Sequence, residues 1–154
     1  MAVRIAIVLS LLACVADAAA VERLRGRVVA VIDGHTLTVL LGARRAQVHL
    51  AYVEAPVSVE RHAIRSRQSL IAVCGGEPVE LEVHRKQADG SFVASASCNG
   101  NDAAAEQVQR GMAALDTRYG AADAHLLALQ REAQSARRGL WANARAAAGN
   151  RGSR

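Results

Sequence analysis

The dipeptide Asp33-Gly34 stands between two runs rich in β-branched residues, Leu24–Ile32 and Thr36–Leu41. Asp-Gly between such runs is a strong signal for a tight hairpin turn, since both residues tolerate the left-handed φ values that suit strand twist. The chain therefore opens with an antiparallel hairpin. Gly42-Ala43-Arg44 makes the next turn, and Gln47–Val53 continues as a third strand, with Val48, Leu50 and Tyr52 alternating against Gln47, His49 and Ala51 until Pro56 ends it. Ser58–Val73 has helical spacing and stops before Gly75-Gly76. Val79–Val83 alternates again, Ala88-Asp89-Gly90 turns the chain, and Phe92–Cys98 is the fifth strand. Asp102 caps a short helix to Arg110, and Ala121–Arg138 reads as a longer one closed by Gly139. The order is β-β-β-α-β-β-α-α. The fold class is mainly β with α (α+β), a five-stranded OB-type barrel with three helices.

At 154 residues the chain has room for one modest core. Residues 1–20 form a signal-peptide layout: Arg4, an apolar run Ile5–Val15, then small-x-small sites at Ala16-Asp17-Ala18 and Ala18-Ala19-Ala20. The run is too short to span a bilayer. The alternatives are an uncleaved anchor, a buried helix, or a lipoprotein through Leu12-Ala13-Cys14. The expected organisation is a leader over 1–20, one domain over 21–142 and an Arg/Ala-rich disordered tail over 143–154. The expected location is periplasmic or secreted, with no transmembrane span in the mature chain and a monomeric state. Export leaves Cys74 and Cys98 as an even pair, expected to form a disulfide closing a loop of about 25 residues. Two buried free thiols are the alternative. Neither cysteine has the C-x-x-C partner that a zinc site needs.

The segment Gly26-Arg27-Val28-Val29-Ala30-Val31-Ile32-Asp33-Gly34-His35-Thr36-Leu37 resembles the opening hairpin of staphylococcal-nuclease-like (thermonuclease) domains, whose pattern there is Asp-Gly-Asp-Thr. Val48-His49-Leu50, Val53-Glu54-Ala55-Pro56-Val57 and Asp89-Gly90-Ser91-Phe92-Val93-Ala94 stand where that family has Arg-Leu, Asp-x-Pro-Glu and Tyr-Gly-Arg before an apolar strand. Arg110-Gly111-Met112-Ala113 and Arg138-Gly139-Leu140-Trp141 match its x-Gly-x-Ala and closing Gly-Leu-Trp. The resemblance spans residues 24–141. It implies calcium-dependent hydrolysis of nucleic-acid phosphodiesters, with carboxylates for the hard cation, a Glu near the attacking water and two Arg on the phosphate.

Carried over position by position, most of those roles are lost. The metal-binding Asp of the hairpin is His35, the first phosphate Arg is His49, the Glu after Pro is Val57, and the second Arg is Ser91. Two tyrosines near the nucleotide become Asp89 and Thr117, while Tyr119 matches. Asp33 and Thr36 are retained, and Glu54 replaces the family's Asp. Losing a general base costs about 10²–10⁴ in rate and losing one transition-state charge donor about 10²–10³, and such losses do not simply multiply. The expectation is an exported nuclease-like domain without the family's chemistry, in a binding or structural role. The alternatives are a weak or altered metal-dependent nuclease and a transition-metal protein. For the latter His35, His49 and Glu54 are the candidate ligands, with His62 able to approach from the following helix. His84 and His125 are read as surface residues. Arg61, Arg65 and Arg67 are read as a solvated helix face or a polyanion contact, and Trp141 as a core plug docking the last helix.

The net charge of +5 invites a nucleic-acid reading, yet four aromatic residues, Tyr52, Phe92, Tyr119 and Trp141, are too few for a broad base-stacking surface. No acidic residue follows Glu132, while Arg137, Arg138, Arg145, Arg151 and Arg154 do, and these five Arg are the whole excess. The barrel itself is near neutral. The Arg-rich C-terminal segment suits weak, salt-sensitive contact with nucleic acid or another polyanion.

Overall fold

The structure, a computed structural model, describes residues 21–56, 60–116, 118 and 123–142. The expected leader over 1–20, the expected tail over 143–154, Val57, Thr117 and Tyr119 lie outside the described residues.

Five strands build the barrel: β1 (Glu22–Val31), β2 (Thr36–Leu41), β3 (Arg44–Leu50), β5 (Pro78–Lys86) and β6 (Phe92–Cys98). Antiparallel pairing runs β3-β2-β1-β5-β6, and a parallel pairing of β3 with β6 shuts the cylinder through Val48↔Phe92, His49↔Val93 and Leu50↔Ala94. Closure removes the free sheet edges that a five-stranded ribbon would expose. Irregularities between Val28 and Ala30 in β1 and between Val83 and Arg85 in β5 supply the local bending that a small barrel needs. The interior takes every second side chain of these strands: Val28, Leu37, Val39, Val48, Leu50, Leu81, Ala94 and Ala96 are each 2% exposed or less. The OB-type, α+β reading of the sequence therefore holds.

Helix α1 (Glu60–Cys74) buries Ser66, Leu70, Val73 and Cys74 on one face. The two shorter helices pack against each other. Helix α2 (Ala103–Gln109) begins where the Asp102 side chain accepts a hydrogen bond from the Ala105 amide, as its sequence suggests. Helix α3 (Ala124–Ser135) is capped by Asp123 in the same manner. The expected disulfide is present: Cys74 at the end of α1 is bonded to Cys98 at the end of β6.

Four details differ from the sequence reading. The third strand starts earlier and stops at Leu50, because Tyr52 takes a left-handed φ of 65° and breaks the ladder. Val53–Glu54 then forms a separate two-residue strand, β4, paired with β8 (Ala114–Leu115), and β7 (Asn101–Asp102) turns back to pair antiparallel with the end of β6. Helix α3 ends at Ser135, not Arg138, since Arg137 adopts φ 53°. Trp141 is half-buried in a 3-10 turn, Gly139–Trp141, rather than seated in the core.

Candidate functional site

The hairpin turn and the β2–β3 ladder put two imidazoles side by side. Thr36 opens β2 directly opposite His49 on β3, and the Thr36 Oγ1 lies 3.2 Å from His49 Nδ1. His35, one residue before Thr36, stands with its ring centroid 6.2 Å from that of His49. Asp33 turns back onto the same residue. Its carboxylate accepts the His35 backbone N–H at 2.8 Å, and His35 Nδ1 is 3.0 Å from the same oxygen. That second contact has ion-pair length, with Nδ1 off the line that a hydrogen bond requires. Partial burial alone would raise the Asp33 carboxyl, but the His35 ring, its amide and its charge, with the Thr36 hydroxyl, outweigh burial and bring it down to about 2.

A cleft of 230 Å³ opens over these rings, lined by His35, His49, Glu54, Gln87, Asp116 and Arg118 among others. The β4–β8 pair forms its far wall. The register Val53↔Leu115 and Glu54↔Ala114, continued by the Asp116 amide on the Tyr52 carbonyl at 2.9 Å, brings Asp116 in from a distant part of the chain. The Arg118 guanidinium clasps Asp116, Nε to Oδ1 at 2.9 Å and Nη2 to Oδ2 at 2.8 Å, and the Arg118 backbone amide also donates to Oδ1 at 2.9 Å. Glu54 lies 3.7 Å from the same guanidinium. The Arg118 hydrogen bonds hold the Asp116 carboxyl below its ordinary value against the opposing effect of burial.

Ser91 sits at the β5–β6 turn and is 4% exposed. Its amide and its hydroxyl both donate to Asp89 Oδ1, at 2.9 and 2.7 Å, so the hydroxyl is spent within the turn. The Asp89 carboxyl is lowered by those Ser91 hydrogen bonds, with a smaller contribution from the nearby His49.

The structure thus lines one cleft with His35, His49 and Glu54, and sets Asp33 against the His35 ring and Thr36 against the His49 ring. Glu54 does not close on the two imidazoles as a third ligand: among the described residues no three His, Cys, Asp or Glu form a group able to hold a metal ion. His62 does not approach either; it lines a separate crevice with Arg65, Gly111, Met112 and Leu140. His84 is exposed and bonds Ser95 Oγ at 2.8 Å, and His125 is exposed at the start of α3. Arg67 is no free cation, because its Nε donates to the Val31 carbonyl at 2.9 Å and ties α1 to β1. Arg138 is likewise used within the fold, on Glu132 and the Gln109 carbonyl.

Asp116 and Arg118 escaped the sequence reading. Their i, i+2 spacing after Ala114-Leu115 carries no motif, and only the β4–β8 pairing makes them neighbours of Glu54.

The profile of the family described as staphylococcal nuclease homologue matches residues 47–143. The chain belongs to the staphylococcal nuclease family. It is 32% identical to the micrococcal nuclease of Shigella flexneri, over 77% of this chain and 74% of that protein. Protein ParB of Escherichia coli is 31% identical, over 78% of this chain and 73% of its own length. An uncharacterized endonuclease of Escherichia coli O157:H7 is 26% identical, over 79% of both chains.

The calcium ion implied by family resemblance can be tested against this donor set. Calcium takes six to eight oxygen ligands. Here the hairpin position presents an imidazole, Glu54 faces Arg118, and Asp116 is occupied by the same guanidinium. The residues present do not fit calcium.

Proposed function

We propose that this staphylococcal nuclease homologue is an exported binding domain that does not hydrolyse phosphodiesters by the calcium route. The observation that carries this reading is the charge of the cleft. Glu54 and Asp116 line the cleft with Arg118, whose guanidinium Asp116 already holds in a bidentate pair, and the Asp33 carboxylate lies behind His35. A phosphodiester brings further negative charge to that set. The two positions that resemblance assigns to phosphate-binding arginines are His49 and the inward-turned Ser91. The residue in place of the general base is Val57, whose side chain has no acid-base chemistry. Export is supported by the leader-like residues 1–20 and by the Cys74–Cys98 disulfide, which suits an oxidising compartment. Among the described residues no helix is long and apolar enough to cross a membrane.

A second reading has the relatives' names behind it: one is called a nuclease and another an endonuclease. An altered phosphodiesterase here needs a substitute base, and His35 and His49 are the imidazoles that line the cleft.

One assay separates the two. Purified mature protein is incubated with single-stranded DNA and with RNA, with Ca²⁺ and with EDTA. The binding-domain reading expects no cleavage above the protein-free control. Cleavage that Glu54→Gln or His35→Ala abolishes would establish the nuclease instead.

A further inference from the structure

We propose that the outward face of α1, with the end of β1 beside it, docks on an anionic lipid surface. The face shares no residue with the cleft, so it stands or falls independently of whether the cleft retains catalysis.

Helix α1 buries Ser66, Leu70 and Val73, yet Ile64 and Ile71 point outward at 50% and 42% exposure. Seven residues apart, they lie two turns along one line of the helix. Strand β1 and the residue after it add two more. Val29 and Ile32 are 42% and 49% exposed, Val29 at the irregular step between Val28 and Ala30. Three hydrogen bonds fix the alignment of the two elements. Arg67 Nε donates to the Val31 carbonyl at 2.9 Å, and Arg27 Nη1 donates to the Gly76 carbonyl at 2.6 Å. The Val28 amide donates to the Glu77 carbonyl at 2.9 Å. The end of β1 thus runs antiparallel to α1. Nine residues of helix and four of strand each rise about 13 Å, so the elements stay in step between those bonds. Val29 is thereby level with Ile71, and Ile32 with Ile64. Four large apolar side chains exposed among the described residues therefore gather on one side, while a fifth, Val21, precedes the other end of β1.

Charge selects the occupant. Arg61 and Arg65 are exposed along one flank of the isoleucine line, and Arg67 and Arg27 stand on the other. The carbonyl bonds of Arg67 and Arg27 fix those side chains without cancelling their charge. Glu60 and Glu77 flank the helix as its acidic residues, and the Asp33 carboxylate is turned onto His35. Leu140 lines a crevice with His62 and Arg65, and residues 143–154 follow with three further Arg and no acidic residue. Aliphatic side chains rimmed by arginines suit a bilayer interface: the apolar groups enter the acyl boundary while the guanidinium groups reach the lipid phosphates. A nucleic acid uses the arginines but gains nothing from four aliphatic side chains, and the patch holds no aromatic ring for base stacking. A second copy of the chain would set the same arginines against themselves.

The test uses the purified mature chain, residues 21–154, so that the apolar stretch Ile5–Val15 takes no part. Co-sedimentation is measured with phosphatidylglycerol vesicles and with phosphatidylcholine vesicles across a salt series. Binding is expected to phosphatidylglycerol, falling as salt rises, and not to phosphatidylcholine. Ile64→Gln/Ile71→Gln should lower the partition coefficient at least about tenfold, since each methylene kept from water is worth roughly fourfold. Arg61→Gln/Arg65→Gln should also lower it about tenfold or more, at roughly fivefold per arginine. Val21→Gln and Arg131→Gln/Arg137→Gln, exposed positions elsewhere, should stay close to the parent value. Circular dichroism and urea unfolding check that each variant is folded, and the single isoleucine variants replace the pair if it is not. No binding to phosphatidylglycerol, binding indifferent to the isoleucines, or an equal loss in the control variants would overturn the proposal. Binding of single-stranded DNA through these arginines without vesicle binding would assign the face to nucleic acid. A dimer broken by Ile64→Gln/Ile71→Gln without vesicle binding would assign it to a second copy. Either result also overturns the proposal.

Discussion

Gln107 on α2 donates a hydrogen bond from Nε2 to the carbonyl oxygen of Gly34 at 2.7 Å, across 73 positions of sequence. The same amide reaches the Ser66 carbonyl on α1 at 3.0 Å, and Gln107 is fully buried. One side chain thus pins the turn that carries His35 to both helices beneath it. Replacing it with leucine keeps the volume but leaves two interior carbonyl oxygens short of a donor. Gln107→Leu is expected to cost about 1–3 kcal/mol, read from the urea midpoint of unfolding. A loss under about 0.5 kcal/mol would mean that water or another donor takes over both carbonyls.

Gly111 and Gly139 bring two backbones together. The Leu140 amide donates to the Gly111 carbonyl at 2.8 Å, and both glycines have positive φ, 67° and 50°. A methyl group at Gly111 would run into the Arg138 carbonyl. Gly111→Ala is therefore expected to destabilise by roughly 2–3 kcal/mol, through left-handed strain and overpacking together. Gly42→Ala is the control: it has φ 61° and open space around it, so strain alone operates, at about 1 kcal/mol. Equal losses at the two sites in chemical denaturation would refute the close-approach argument.

Reduction of Cys74–Cys98 should be costly. The bridge spans a sequence separation of 24, and the chain-entropy model assigns such a loop about 3 kcal/mol. Paired urea titrations with and without a reductant, and of the Cys74→Ser/Cys98→Ser double variant, measure it. A difference below about 1 kcal/mol would indicate that the unfolded chain is already restrained there.

Asp33 supplies the pH dependence. Its carboxyl lies at about 2 in the folded chain against an ordinary 3.8, so folding favours the ionised form. The contribution is complete above pH 3.8 and is lost as pH falls through about 2. The carboxylate is about one-third exposed, so solvent screening reduces the contribution to about 1 kcal/mol. Asp33→Asn should flatten the stability profile over that window and leave the profile above it unchanged in shape. An unaltered acid limb would assign the dependence to Asp116 or Asp89, whose carboxyls are also lowered.

Local chemistry announced most of the barrel. The Asp33-Gly34 turn, the alternation in β5 and the Asp102 cap are each decided within a few residues, and each element lies where those residues put it, although neither Asp33 nor Gly34 takes a left-handed φ. Tyr52 was illegible because nothing in Leu50-Ala51-Tyr52-Val53 signals a left-handed residue. The break arises from what Val53 must do next, which is to leave the barrel wall and pair with Leu115. The candidate site divides in the same way. Asp33, His35, Thr36 and His49 belong to one hairpin ladder and could be placed from the register of two strands. Asp116 and Arg118 depend on the β4–β8 pairing, which joins residues some sixty positions apart through two residue pairs. No local pattern encodes a contact of that kind.

The parallel pairing of β3 with β6 rests on three residue pairs, and His49 is the middle one. Non-local parallel pairing of this sort is slow to form, since it must wait for a long loop to close. One ring of the imidazole pair is therefore mounted on the barrel's closing seam. A chain that has built its N-terminal hairpin but not zipped this seam carries His35 and His49 on a ribbon open to water, without the wall that Asp116 provides. Hydrogen exchange at the β3–β6 amides should report in one measurement both the final step of assembly and the lifetime of the cleft. A ligand that occupied the cleft would slow that exchange, so the opening of the seam would register its presence.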